Sequence, residues 1–228
     1  MINNMHGRGK GSLLLLFLMS SQLLWKNEAV QTDCPKDSTC WVLRRRLIDR
    51  AIILSMFMPQ FSQQLLQTFE KKYSRGPFFF LPARSKCHTL PITFPAEHEQ
   101  ALMMQPKDTV KMLIRLLQSW NDPLFHLHHE AHSLPEFRDA LRNKIIIIAE
   151  KVNQLQEYLK KLASKIDPEI TANVDHAISS ELLFLQSTKE EYRLFAFHKL
   201  LRCLNTDLHK IHNYFMSLKC QVISNDNC

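Results

Sequence analysis

The chain has 228 residues, 45% of them hydrophobic, with 29 Lys and Arg against 22 Asp and Glu. That length suits one domain with a large single core. The basic excess is mild, no basic and aromatic residues interleave, and nucleic acid is not implied.

The first segment, MHGRGKGSLLLLFLMSSQLLW, starts basic at Arg8 and Lys10. An apolar run follows from Leu13 to Met19, then a mixed stretch ending near Ala29. This is the layout of a secretory signal peptide. The apolar run is too short to span a bilayer, which takes about 20 residues. Removal of residues 1–29 is expected, leaving one domain over 30–228, secreted and not membrane-spanning. Gly7, Gly9 and Gly11 leave with it, so Gly76 is the single glycine of the mature chain. A sheet protein needs more glycine for its tight turns. Three basic residues and one acidic residue also leave, and the net charge falls from +7 to +5.

All six cysteines, Cys34, Cys40, Cys87, Cys203, Cys220 and Cys228, lie beyond the leader. An even count behind an export signal argues for three disulfides. Six cysteines admit many connectivities. Chain proximity favours Cys34–Cys40 and Cys220–Cys228, which leaves Cys87–Cys203. No CxxC pair supports zinc, and no Asn-x-Ser/Thr sequon predicts an N-glycan.

Four segments show the helical period. The first carries Leu43, Leu47, Ala51, Leu54, Met58, Phe61, Leu65 and Phe69, and Gly76-Pro77 stops it. Pro59 removes a donor inside it and predicts a kink. The second runs from Val110 through Leu113, Leu117, Trp120 and Leu124 to Leu127, with Asp108 as the expected N-cap. The third, Leu141 to Ile166, is cleanest, and IIII at 145–148 stays helical because the stripe passes through it. The fourth runs from Leu194 to Leu218. Its polar face is expected to carry Asp207, His209, Lys210, His212 and Asn213. Long connections, Gly76 to Lys107 and Asp167 to Thr188, flank a short one, Ser133 to Arg138. A short link makes antiparallel neighbours, and long links permit parallel ones. The predicted fold is all-α: a four-helix bundle, up-up-down-down, with two crossovers.

Two clusters invite chemistry. HLHHEAH places His126, His128, His129 and His132 near a helix C-terminus. His128 and His132 share a face, as zinc ligands can, but HExxH is absent. Histidines that cap a C-terminus and favour its dipole are the preferred reading, ahead of incidental metal binding. Arg44, Arg45 and Arg46 open the first helix, where positive charge opposes the dipole. A solvated turn is the plain reading, and a patch for sulfated glycans is the functional one. No GxSxG, no phosphate loop and no partnered nucleophile is present. No enzyme, cofactor or metal is expected, and function falls to the bundle's outside.

The stretch CLNTDLHKIHNYFMSLKC, Cys203 to Cys220, followed by QVISNDNC, resembles the C-terminus of the prolactin and growth hormone family. LIDRAIILS (47–55), FEKKY (69–73), CHT (87–89) and SWNDPLFHL (119–127) extend the likeness over the mature chain. The resemblance implies the pairs Cys34–Cys40, Cys87–Cys203 and Cys220–Cys228, the hormone bundle, and a class I cytokine receptor as partner. It implies one receptor surface on the first and fourth helices with part of the first connection, matched by His209, Lys210 and Tyr214. It implies a second in a groove between the first and third helices. Three departures stand out. Met56 and Pro59 replace two histidines and His212 an aspartate, which dismantles a metal-sensitive patch. Tyr158 replaces a glycine and should fill the groove. The expectation is a secreted, monomeric, placental-type prolactin-like hormone that does not dimerise the prolactin receptor in the usual way. The alternative is a ligand whose main partner is a heparin-type glycan, held by Arg44 to Arg46.

Overall fold

The computed structural model describes residues 38–74, 86–92, 95, 98–171, 175 and 177–223, all within the unit Pro35–Cys228. The expected leader, 1–29, lies outside the described residues. So do Cys34 and Cys228. The described elements are α1 (Thr39–Met56), α2 (Met58–Tyr73), α3 (His98–Leu102), α4 (Pro106–Gln118), α5 (Asn121–Ala131), α6 (Asp139–Ile166), a 3-10 turn (Pro168–Thr171), α7 (Glu181–Leu185) and α8 (Glu190–Ile223). None of the described residues is in a strand.

Two of the four expected helices are each divided in two, and a proline sits at each break. Pro59 has no N–H to give Ser55 O. The chain turns at Phe57 instead, whose N–H donates to Ser55 O, and α2 restarts with the proline in its first turn. The expected kink falls here, as a one-residue interruption at Phe57. Pro123 likewise has no N–H for Ser119 O. That carbonyl accepts from His88 Nε2 at 3.0 Å. The helix ends at Gln118, turns through Ser119 and Trp120, and resumes at Asn121. At the start of α4, Gln105 is the N-cap and Asp108 stands in the first turn, which corrects the expected cap.

Side-chain contacts fix how the long helices run. Asp49 meets Lys219 at 2.8 Å, Ser55 meets His212 at 2.9 Å, Ser62 meets Asn205 at 2.9 Å and Glu70 meets His198 at 3.0 Å. As the number rises along α1 and α2, its partner on α8 falls. Against α6 the order falls too: Arg44 donates to Lys165 O, and the Lys144 ammonium lies 5.6 Å from the Phe61 ring. On the other side Gln221 donates to Ala101 O, Trp120 to Asp207, and Arg193 pairs with Glu130.

The core fills the space between. Phe69 stacks on Phe197 at 5.2 Å, and Phe137 meets Phe197 edge-on at 5.4 Å. Both arrangements suit aromatic quadrupoles. Trp120, Phe69, Phe137, Phe197 and Phe215 are fully buried. The stripe residues Leu47, Ala51, Leu65, Leu113, Ile145, Ile148, Leu155, Leu201, Leu208 and Leu218 are buried as their period requires. Leu43 is an exception, 40% exposed near the start of α1.

Cys87 and Cys203 are disulfide-bonded across 116 positions, tying the first crossover to α8. Cys40 and Cys220 are also disulfide-bonded. The second crossover is held by Glu181, which is buried and accepts from Ser179 and Lys199. No described helix is long and apolar enough to cross a membrane.

Candidate functional site

With the core closed, one candidate surface is the seam between α1 and α8. The contacts Asp49–Lys219 and Ser55–His212 set its level. Ile53 then lies level with Met216, and Met56 level with His209 and His212. Each helix turns 100° per residue. On α8, His209, Asn213 and Met216 therefore share one flank of the stripe that meets α1. On α1, Asp49, Ile53 and Met56 share the matching flank. Ile53 is 62% exposed, Phe57 49%, Met56 48% and Met216 44%. Exposed apolar side chains that share one flank are candidates for docking a partner.

The polar edge of this patch is histidine. His209 is exposed and His212 half-buried, with Nδ1 against the Ser55 hydroxyl. Burial, and then the neighbouring His209, hold His212 below the usual histidine range. His212 is thus a neutral hydrogen-bonding ring. Met56 is exposed and Pro59 buried, on either side of the turn that ends α1, and His212 reaches Ser55 just before it.

The rest of the expected polar face is divided. Asp207 is not on the surface. It is fully buried, accepting from Thr89 Oγ1 at 2.7 Å and Trp120 Nε1 at 3.1 Å, with Lys210 Nζ 3.3 Å away. Tyr214 is not outside either: it is buried, and its hydroxyl donates to Pro95 O at 3.2 Å. Burial raises its pKa. The first crossover covers both residues, and the helical period has no information about a loop. Lys210 remains half-buried at the crossover's edge. The trio His209, Lys210 and Tyr214 therefore splits. His209 joins the α1/α8 seam, while Lys210 and Tyr214 turn toward the crossover.

Tyr158 is half-buried against the core. It stands two helical turns from Lys165 and four from Lys144, residues of α6 that touch α1 and α2. Its face of α6 is therefore the one turned to the α1/α2 side. Arg44, Arg45 and Arg46 diverge. Arg44 donates to Lys165 O, Arg45 lies 3.7 Å from Asp49 and 5.5 Å from the Trp41 ring, and Arg46 is exposed. Successive helical residues cannot share a face.

Ile53, Phe57 and Met216 were absent from the sequence-derived candidates. Their signal was available: each is a large apolar residue off the core stripe. The Somatotropin hormone family model matches residues 17–228.

Proposed function

The chain belongs to the somatotropin hormone family, and from that premise we propose that it is a prolactin-like hormone of the placental kind, docking its receptor on the α1/α8 seam. The family consists of secreted signalling proteins, not enzymes, that act through class I cytokine receptors. What supports the reading is the exposure of Ile53, Met56 and Met216, set on matching flanks of α1 and α8 by helical geometry, with Phe57 exposed at the turn that follows α1. Interfaces gain most from large side chains that are desolvated at the centre of the contact, with polar groups at the rim. Lys210 extends the rim to the first crossover. Tyr214 serves from beneath, holding Pro95 in place.

The up-up-down-down arrangement is supported by the falling contact order of α8 and α6 against α1 and α2, and by the short link from α5 to α6. The terminal pairs Cys34–Cys40 and Cys220–Cys228 are supported by the oxidised state of Cys40 and Cys220. Such bonds belong to an exported protein, in keeping with a leader at 1–29 and a mature domain at 30–228.

The proposed hormone holds one receptor and not two. Tyr158 sets a ring on the face of α6 next to α1 and α2, where the family resemblance puts the second contact. The test is unbiased capture of cell-surface receptors by the oxidised protein, followed by stoichiometry with the captured ectodomain. One ectodomain per hormone is expected, rising toward two for Tyr158→Ala. A strong response of prolactin-receptor cells at nanomolar hormone would refute the proposal, as would capture that survives Met216→Glu unchanged.

A further inference from the structure

The histidines of HLHHEAH lie on and just after α5, apart from the seam. Their arrangement is more specific than a capped helix end. His132 follows α5 as its C-cap but keeps right-handed helical angles, φ −69° and ψ −26°. Helical spacing between His128 and His132 is therefore preserved, and they share one face. Their rings stand 4.9 Å apart between centroids, at 86° to each other. The others are placed differently. His126 turns edge-on to Phe125, at 5.4 Å between centroids. Glu130 is taken by Arg193, at 3.2 Å. His129 points about 100° away from His128 around the helix.

A helix C-terminus favours cations, and two protonated imidazoles this close oppose each other. Burial comes first in holding His128 below the usual histidine range, followed by His132, His129 and Arg142. Arg142 is itself engaged, pairing with Asp139 and donating to Phe137 O at 2.7 Å. The His128 ring stands edge-on beside a second imidazole on the same helix face. His132 is exposed and His128 half-buried, so solvent reaches the pair.

We propose that His128 and His132 form a two-armed site for a divalent transition ion that prefers imidazole, Cu²⁺ or Zn²⁺, with water filling the remaining positions. Two histidines four apart on a helix are the minimal chelate for such ions, and neutral imidazole is the ligand they accept. Among the described residues no three His, Cys, Asp or Glu side chains gather as a metal cluster, so the proposed site has two protein ligands and no third. It therefore binds more weakly than a four-ligand structural zinc site. Cu²⁺ should bind more tightly than Ni²⁺ or Zn²⁺, as imidazole sites generally rank them.

The experiment titrates the full oxidised protein with CuCl₂ and with ZnCl₂ by calorimetry. Variants are His128→Gln, His132→Gln, their double, and a His126→Gln/His129→Gln control. Each single substitution is expected to weaken binding by about tenfold or more. The double should be little worse than either single, because a chelate is lost with its first arm. The control should bind as the parent does. Cu²⁺ should broaden the ring signals of His128 and His132 first, and unchanged urea midpoints would show that the variants fold. The proposal is overturned by any of three results: no saturable binding, binding indifferent to both single variants, or an equal loss in the control.

Discussion

Asp207 is the most informative position for a stability experiment, because its geometry predicts different outcomes for two small substitutions. Its carboxylate is fully buried and takes two strong donors on Oδ2, Thr89 Oγ1 and Trp120 Nε1, while Oδ1 faces Lys210. Asp207→Ala removes both acceptors and leaves a buried hydroxyl and a buried indole N–H unpaired. Each unpaired donor costs about 1–3 kcal/mol. With the small cavity added, the loss is expected at about 3–5 kcal/mol, comparable to breaking a buried pair. Asp207→Asn can keep its carbonyl toward Thr89 and Trp120 and turn its amide toward Lys210. Two donors then meet, but the Lys210 side chain is 39% exposed and can swing into water. The expected loss is about 1–1.5 kcal/mol, one net hydrogen bond. Urea unfolding with the disulfides intact, followed by tryptophan fluorescence and circular dichroism, measures both. For a chain of this size the alanine variant's midpoint should fall by about 1–2 M. An alanine variant within about 1 kcal/mol of the parent, or an asparagine variant no better than alanine, would show that the carboxylate does not tie the crossover to α8.

Other predictions use the same protein. Met216→Glu and Ile53→Glu should each weaken receptor binding by about tenfold or more. Both should leave the unfolding midpoint within about 0.5 kcal/mol of the parent, since both sites are exposed; binding by surface plasmon resonance and urea curves separate these effects. Cys87→Ser/Cys203→Ser opens a loop across 116 positions and should cost about 4–5 kcal/mol in chain entropy; a loss below about 2 kcal/mol would point to residual order in the unfolded chain. The pH dependence follows from His88, whose Nε2–H donates to Ser119 O while its buried Nδ1 has no partner among the described residues. Burial, the largest influence, lowers its pKa below the ordinary 6.5. The unfolded chain therefore takes up a proton first, and stability falls as pH drops below about 6.5. His88→Gln should reduce that slope in urea midpoints recorded across the range, with His128 and His212, whose pKa values are also lowered, keeping the remainder. Glu181, whose pKa is also lowered, acts in a separate window below its ordinary 4.5. Burial opposes that shift, and the hydrogen bonds from Lys199 and Ser179 outweigh it.

Where one helix face meets one core, the sequence was readable. The period of α6 gave Ile145, Ile148, Val152, Leu155, Leu159 and Leu162, all buried. The proximity pairing gave Cys87–Cys203. The breaks at Phe57 and Ser119–Trp120 were harder, because the apolar stripe keeps its phase across both turns. Only the prolines show what is lost there, and only the structure shows what replaces it: the Phe57 N–H at Ser55 O, and His88 at Ser119 O. Asp207 and Tyr214 were misplaced for a different reason. A polar residue off the stripe is outside unless another segment covers it, and the covering segment is irregular, with no period to count. The arginines divide for a related reason. Three in a row look like a patch, yet Arg44 is drawn to Lys165 O at the end of α6, where a cation is favoured.

These misplacements bear on how α8 divides its work. Its far side carries Asp207 and Tyr214, which bind the first crossover through Thr89 and Pro95 and the turn between α4 and α5 through Trp120. Its near flank carries His209, Asn213 and Met216, which bind nothing the core needs. Lys210 stands between them, paired with Asp207 below and half-exposed above. Substitutions on the far side should therefore change stability first and receptor binding only through the position of the crossover. Those on the near flank should change binding alone. Lys210→Ala is the one expected to move both, by about 0.5–1 kcal/mol in stability for a partly exposed pair, and its effect on binding should not add to that of Asp207→Asn. A double-mutant cycle between the two positions reads that coupling directly; strict additivity in binding would mean that Lys210 meets the receptor independently of the buried carboxylate.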